Sequence, residues 1–166
     1  MTERWKPSVT VAAIIERATD GRREFLLVEE ETPEGVRLNN PAGHLEAGET
    51  PEQAVVREAL EETARVFVPE ALVGIYLARF ERPSLGEDVT YVRFAFAGQA
   101  GEIDASRTLD TGILATHWLT LDELRATRSR HRSPLVLRTV EDWLAGRRYP
   151  LDVVRADATL RSPSRL

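Results

Sequence analysis

Residues 42–64 read AGHLEAGETPEQAVVREALEETA, and this stretch decides how the rest of the chain is arranged. Thr50 is a favoured N-cap, Pro51 suits the first helical position and Gln53 completes a capping box, so the spacing predicts a helix starting at Pro51. At about 100° per residue, Glu58, Glu61 and Glu62 fall on an arc of roughly 100°, with Val56, Ala59, Leu60 and Thr63 opposite. Two unit charges about 5 Å apart repel by about 3 kcal/mol at an effective dielectric near 20, so the crowded carboxylates call for a positive partner. Arg57 neutralises part of the cluster and leaves acids over. Hard divalent cations take oxygen ligands, and Mg2+ binds through a few carboxylates plus substrate phosphates, so Mg2+ or Mn2+ is the expected partner. The competing reading is an ordinary solvated face of glutamates.

The loop ahead of the helix separates these readings. Gly43, Glu49, Arg57, Glu58, Glu61 and Glu62 stand at a spacing that resembles the signature of the Nudix hydrolases. The family pattern continues with Gly and an apolar residue, whereas this chain has Ala64 and Arg65. Glycine there would end the helix in a left-handed conformation, which costs a residue with a Cβ about 1 kcal/mol or more. That departure touches the helix exit and not the acids. WKPSVTVAA (5–13), NNPAGHLEAGET (39–50), RSPLV (132–136) and RRYPL (147–151) are more narrowly similar to the NudJ-type phosphatases, so the resemblance spans nearly the whole chain.

The resemblance implies an α+β fold, a mixed β-sheet sandwiched between α-helices (α/β/α), with residues 1–154 as the hydrolase domain and 155–166 as a weakly ordered tail. It implies metal-dependent cleavage of a phosphoanhydride bond in a nucleoside di- or triphosphate or thiamine-type pyrophosphate, by attack of metal-bound water. Carried over by position, Glu61 and Glu62 are metal ligands, Glu58 a ligand or the general base, and the Ala42 carbonyl a further ligand. Arg57 orients the glutamates with Glu49, and Gly43 belongs to the structural part of the motif. Many relatives place an acid six residues before a tryptophan like Trp118; here that position is Gly112, which leaves Glu58 as first choice of base and Asp110 as a substitute. Two alternatives stay open: an ADP-sugar or dinucleotide pyrophosphatase of the same superfamily, and an inactive Nudix-fold module that senses a nucleotide or binds a protein.

The rest of the chain fits a single soluble domain. Its 166 residues are 42% hydrophobic and 30% charged, and cysteine is absent, which excludes disulfide and thiol chemistry and is compatible with a cytoplasmic protein. The start of the chain is polar, and the first apolar run, 9–15, is too short for a signal or membrane segment. Six glutamates against Arg57 give residues 42–64 the full net charge of −5. The remainder is neutral and says little about partners beyond a small phosphorylated molecule; a monomer or homodimer is expected.

In order, residues 9–17 and 24–29 read as a hairpin across Asp20-Gly21, 36–38 as a short strand, and 39–41 as a turn. Residues 66–68, 72–81, 89–99 and 112–119 read as strands with a loop at 83–88; Thr120 and Glu123 cap a short helix, and Ser133-Pro134 opens a last one that stops at Gly146. Arg93, on a mostly apolar strand, is either a snorkelling edge residue or a fork for phosphate. His44 beside Gly43 is a candidate substrate contact. Arg125, Arg128, Arg130, His131, Arg132 and Arg138 form either a solvated face or a phosphate-side wall, with Arg132 as the substrate-binding candidate. No interleaved aromatics point to nucleic acid.

Overall fold

Asp20 and Gly21 both have positive φ, 50° and 77°, the geometry that lets two residues reverse a twisted ribbon, and they join β1 (Ser8–Thr19) to β2 (Arg22–Thr32). The computed structural model describes residues 4–83 and 86–161. β3 (Gly35–Asn39) returns antiparallel on β2, and β4 (Ala42–His44) pairs antiparallel with β1. After α1 (Pro51–Thr63), β5 (Phe67–Arg82) and β6 (Glu87–Ala100) form a long antiparallel pair. β6 lies parallel to β1, and β7 (Ile113–Thr120) pairs with β2. The main strand order is β3-β2-β1-β6-β5, a mixed sheet. α2 (Leu121–Ala126) and α3 (Leu135–Leu144) follow.

Side chains leaving β1 in alternation feed two cores. Val11, Ala13 and Ile15 pack with Ala54, Val55 and Ala59 of α1, while Ile14 packs with Leu124 of α2 and Val136, Val140 and Trp143 of α3. Helices therefore cover both faces, as the resemblance implies. α3 is also tied by polar bonds: the Tyr76 hydroxyl donates to Asp142 Oδ2 at 2.9 Å and Trp143 Nε1 donates to Glu16 Oε2 at 2.6 Å.

The caps of α1 and α2 form as their sequences dictate, with Thr50–Gln53 and Thr120–Glu123 bonding reciprocally. Other features depart from the sequence reading. β4 is a strand only because Ala42, Gly43 and His44 pair with Ala12, Val11 and Thr10; its three residues carry no alternation of their own. β5 is continuous where two extended pieces are expected, since a register shift between Pro69 and Ala71 absorbs the donor that proline lacks. The loop expected at 83–88 includes residues 84 and 85, and the tail at 155–166 includes residues 162–166, which lie outside the described residues; a 3-10 turn covers Ala158–Arg161. Among the described residues no helix is long and apolar enough to cross a membrane.

The faces of α1 also divide differently. Glu58 and Glu62 are buried with Ala54, Val55, Ala59 and Thr63, while Val56 and Leu60 are partly exposed. A cavity lies beside the two acids. The helix ends at Ala64 with φ 53° and ψ 30°, the left-handed exit that glycine favours. Ala64 is 2% exposed, so its methyl offsets the strain: about 0.8 kcal/mol for a buried methyl(ene) against about 1 kcal/mol. Ala64→Gly is thus expected to move the melting temperature by less than about 3 °C in differential scanning calorimetry, and a larger rise would show that strain dominates.

Candidate active site

Arg57 joins the motif loop to the helix. Its Nε and Nη2 donate to Glu49 at 3.1 and 2.7 Å, Nη1 donates to Glu58 at 2.8 Å and Glu61 at 3.0 Å, and Nη2 donates again to the His44 carbonyl at 3.0 Å. These bonds occupy all of the donors of a guanidinium. Glu49 also accepts from the Glu46 amide at 2.7 Å, which closes the loop ahead of α1. The Arg57 fork holds Glu49 below the usual carboxylate range, and Arg57 itself is raised, chiefly by Glu49.

Gly43 lies directly against Glu58. A Cβ built on Gly43 would stand 2.1 Å from the Glu58 carboxyl carbon, so only glycine leaves room for this carboxylate. One residue earlier, the Ala42 amide donates to Glu62 Oε2 at 2.8 Å. β4 therefore presents the backbone on which both buried glutamates rest.

The acids line one side of a cavity of about 620 Å3, together with Ala42, His44 and Asp110. Buried Thr10 and Asn39, together with Arg93 and the exposed Arg132, also line it, and Phe80 and Tyr91, edge-to-face at 5.5 Å, add an aromatic wall. At the mouth, Arg82 Nη1 donates to Glu34 Oε1 at 3.0 Å, joining the end of β5 to the β2–β3 turn.

Burial raises Glu62 to about 8, opposed by the Ala42 amide and reinforced by Glu30, Glu58 and Asp110. Burial likewise raises Glu58 against the pull of Arg57, with Glu61 and Asp110 adding repulsion. Burial lowers Arg93 to about 10, and Arg132 adds to the effect.

Among the described residues no three acidic or imidazole groups already converge on a metal position. Arg57 Nη1 instead bonds both Glu58 and Glu61. The residues nonetheless fit a hard divalent cation: the donors are oxygens, and Glu62 lacks a cationic hydrogen-bond partner although burial and three acids oppose its charge.

The expected site residues separate by position. Glu58, Glu62, Ala42, Gly43, His44, Arg93 and Arg132 line the cavity, and Asp110 joins them, its amide held by the Glu61 carbonyl at 2.9 Å. Glu61 and Glu49 are not among the lining residues and are held by Arg57. Of the basic run, Arg132 lines the main cavity, while Arg125, Arg128, His131, Arg132 and Arg138 line a second pocket with Glu141; Arg125, Arg130, Arg132 and Arg138 are engaged by Glu141, Glu29, Glu30 and Asp142. Thr10, Asn39, Phe80 and Tyr91 were not singled out by the sequence; a signal lay in NNP ahead of the motif, where Asn39 reads only as a turn residue.

These features define a Nudix hydrolase. The chain belongs to the NUDIX family, whose domain profile matches residues 6–140. It is 33% identical over 150 residues to Phosphatase NudJ of Escherichia coli K12, covering 90% of this chain and 92% of that protein, and equally so to Phosphatase NudJ of Shigella flexneri. A NUDIX hydrolase from Nitrosomonas europaea superposes with a TM-score of 0.79 at 49% identity, over 92% of this chain and 98% of that one. An Ap4A hydrolase of C. elegans shares the fold, with a TM-score of 0.58 at 22% identity over 84% of this chain and 98% of its own. The protein is thus an enzyme acting on phosphorus-containing acid anhydrides, in a family that uses divalent metal ions.

Gly43→Ala is expected to displace Glu58 and lower kcat/KM by at least about tenfold, with circular dichroism unchanged; full activity would show that the carboxylate position is immaterial. Glu62 supplies a second test. The folded chain keeps this proton to about pH 8 and the unfolded chain releases it near 4.5, so stability without metal falls as pH rises through that interval. The melting temperature in chelator is expected to drop from pH 5 to pH 8.5 and Mg2+ to restore more of it at pH 8.5, with Glu62→Gln flattening both trends; a pH-independent response to Mg2+ would reject the assignment.

Proposed function

We propose that the protein hydrolyses a phosphoanhydride bond of a nucleoside di- or triphosphate or a thiamine-type pyrophosphate, with Mg2+ or Mn2+ held by Glu61, Glu62 and the Ala42 carbonyl, and with Glu58 as a further ligand or the general base. The observation that carries this reading is the pair of buried carboxylates, Glu58 and Glu62, facing a cavity that also holds Arg93 and Arg132. A 33% identical relative called a phosphatase supports the same class.

When bound, a divalent cation neutralises phosphate oxygens and acidifies the attacking water. As general base, Glu58 would accept a proton from the attacking water: burial raises the pKa of its carboxyl, which makes its ionised form the stronger base, and Arg57 Nη1 fixes its Oε1 at 2.8 Å. Asp110, on the same wall, is the second candidate base. Glu62 is oriented by the Ala42 amide. Arg57 is a positioning residue, since its bonds run to Glu49, Glu58, Glu61 and the His44 carbonyl. His44 and Arg132 face the cavity where phosphates would leave, and Arg93 contacts substrate in the same cavity.

The direct test is release of phosphate or pyrophosphate from nucleoside di- and triphosphates, thiamine pyrophosphate and ADP-ribose, with and without Mg2+ or Mn2+. Metal-dependent release from the first classes is expected, with a loss on the order of a hundredfold in Glu62→Gln. Equal turnover by the variant would overturn the catalytic assignment, and preference for ADP-ribose would move the enzyme to the pyrophosphatases of nucleotide sugars.

A further inference from the structure

A second pocket, of about 760 Å3, adjoins the main cavity, since Arg132, Ser133 and Leu135 line both. Its other walls come from α2, the 3-10 turn at Arg128–Arg130 and α3, through Arg125, Arg128, Arg138 and Glu141. Four guanidinium groups thus face one acid in its lining. Glu141, Glu30 and Asp142 pair with Arg125, Arg132 and Arg138, whereas Arg128 has no ion-pair partner among the described residues. The N-terminus of α3, which has no side-chain cap, opens at the same pocket and adds a partial positive charge.

His131 is a separate observation pointing the same way. It lines the pocket, is 9% exposed, and its Nδ1 has no hydrogen-bond partner in the protein. The Thr127 hydroxyl donates to the Glu123 carbonyl at 2.8 Å, so towards His131 Nε2, 3.4 Å away, it serves as acceptor. This network assigns the ring proton to Nε2 and leaves Nδ1 with a bare lone pair. Burial and the charge of Arg128 hold the imidazole below its ordinary range, opposed by the Leu124 carbonyl. An unpaired guanidinium beside an unpartnered buried nitrogen is an arrangement that a bound anion would satisfy.

The donor set selects the ligand. Guanidinium forks suit oxyanions. Among the described residues that line the pocket there is no aromatic ring besides the His131 imidazole, so no platform exists for stacking a base. A carboxylate ion only accepts hydrogen bonds. A hydrogen phosphate or hydrogen diphosphate brings oxygens that accept from arginine together with a P–OH that donates to a bare nitrogen.

We propose that this pocket is a second binding site, distinct from the substrate cavity, for inorganic phosphate or diphosphate, with Arg128 and His131 as its defining residues. Binding of the ion stands on the pocket alone. That the ion is the enzyme's own product rests on the hydrolase reading above, which releases phosphate beside Arg132.

The three histidines of the chain make the test direct: His44 lines the main cavity, His131 the second pocket, and His117 lies on β7. Imidazole NMR signals, assigned with His44→Gln and His117→Gln, are followed as inorganic diphosphate, and separately orthophosphate, is titrated into the protein in chelator at fixed pH and ionic strength. A saturable shift of His131 is expected with at least one of the ions, its dissociation constant rising about fivefold or more in Arg128→Gln while any His44 curve changes by less than about twofold. No saturable shift at His131, an Arg128→Gln curve like that of the wild type, or equal losses at His131 and His44 would overturn the second site. Arg128-dependent binding in a protein that releases no phosphate from any substrate would keep the site and reject the hydrolase reading alone.

Discussion

The five hydrogen bonds of Arg57 hold together the loop, the helix and the strand that form the acidic end of the cavity. A single guanidinium bonds the loop acid Glu49, the helix acids Glu58 and Glu61, and the carbonyl that ends β4. Without it, like charges on neighbouring turns of α1 would push one another towards solvent. With it, α1 is fixed against β4, the Ala42 amide meets Glu62, and Gly43 meets the flank of Glu58. The apolar contacts of Ala54, Val55 and Ala59 set how closely the helix approaches the sheet, and Arg57 sets which acids face inward.

Much of this is legible in the sequence, and the reason lies in how local the signals are. Thr50, Pro51 and Gln53 determine the start of α1 through atoms within one turn, so their reading survives whatever the rest of the chain does. Asp20-Gly21 does the same for the first hairpin. That Glu58 and Glu62 share one arc of the helix is legible from the pattern, but not their burial: periodicity sorts residues by polarity and places acids outside, whereas a cavity beside the helix reverses that rule. β4 was invisible because its three residues are extended only through their partners on β1. Arg93 could be placed on a strand, but the depth of its guanidinium depends on β1 and the distant Glu30. Thr10 and Asn39 are residue types with many ordinary uses, and only their convergence on one cavity distinguishes them.

The two ends of the cavity differ in how they are built. The acidic end rests on α1 and β4, backed by Arg57 and by an apolar core. The other end is framed by β1, β3 and β6 through Thr10, Asn39 and Arg93. α3 continues from the Arg132–Ser133 side of the same space and is pinned to the sheet by Tyr76–Asp142 and Trp143–Glu16. Polar ties of this kind fix direction as well as distance, which apolar packing does poorly. The walls are therefore held in place from opposite faces of the sheet.

The ion pair between Arg82 and Glu34 belongs to neither end. It joins two peripheral hairpin regions 48 residues apart in sequence, and both side chains remain partly open to solvent. Exposed pairs of this sort contribute little to stability, so their loss or replacement is cheap. Evolution can accordingly reshape the entrance, admitting bulkier or differently charged molecules, while the reactive machinery below stays constant. The fold separates what is free to diversify from what is not.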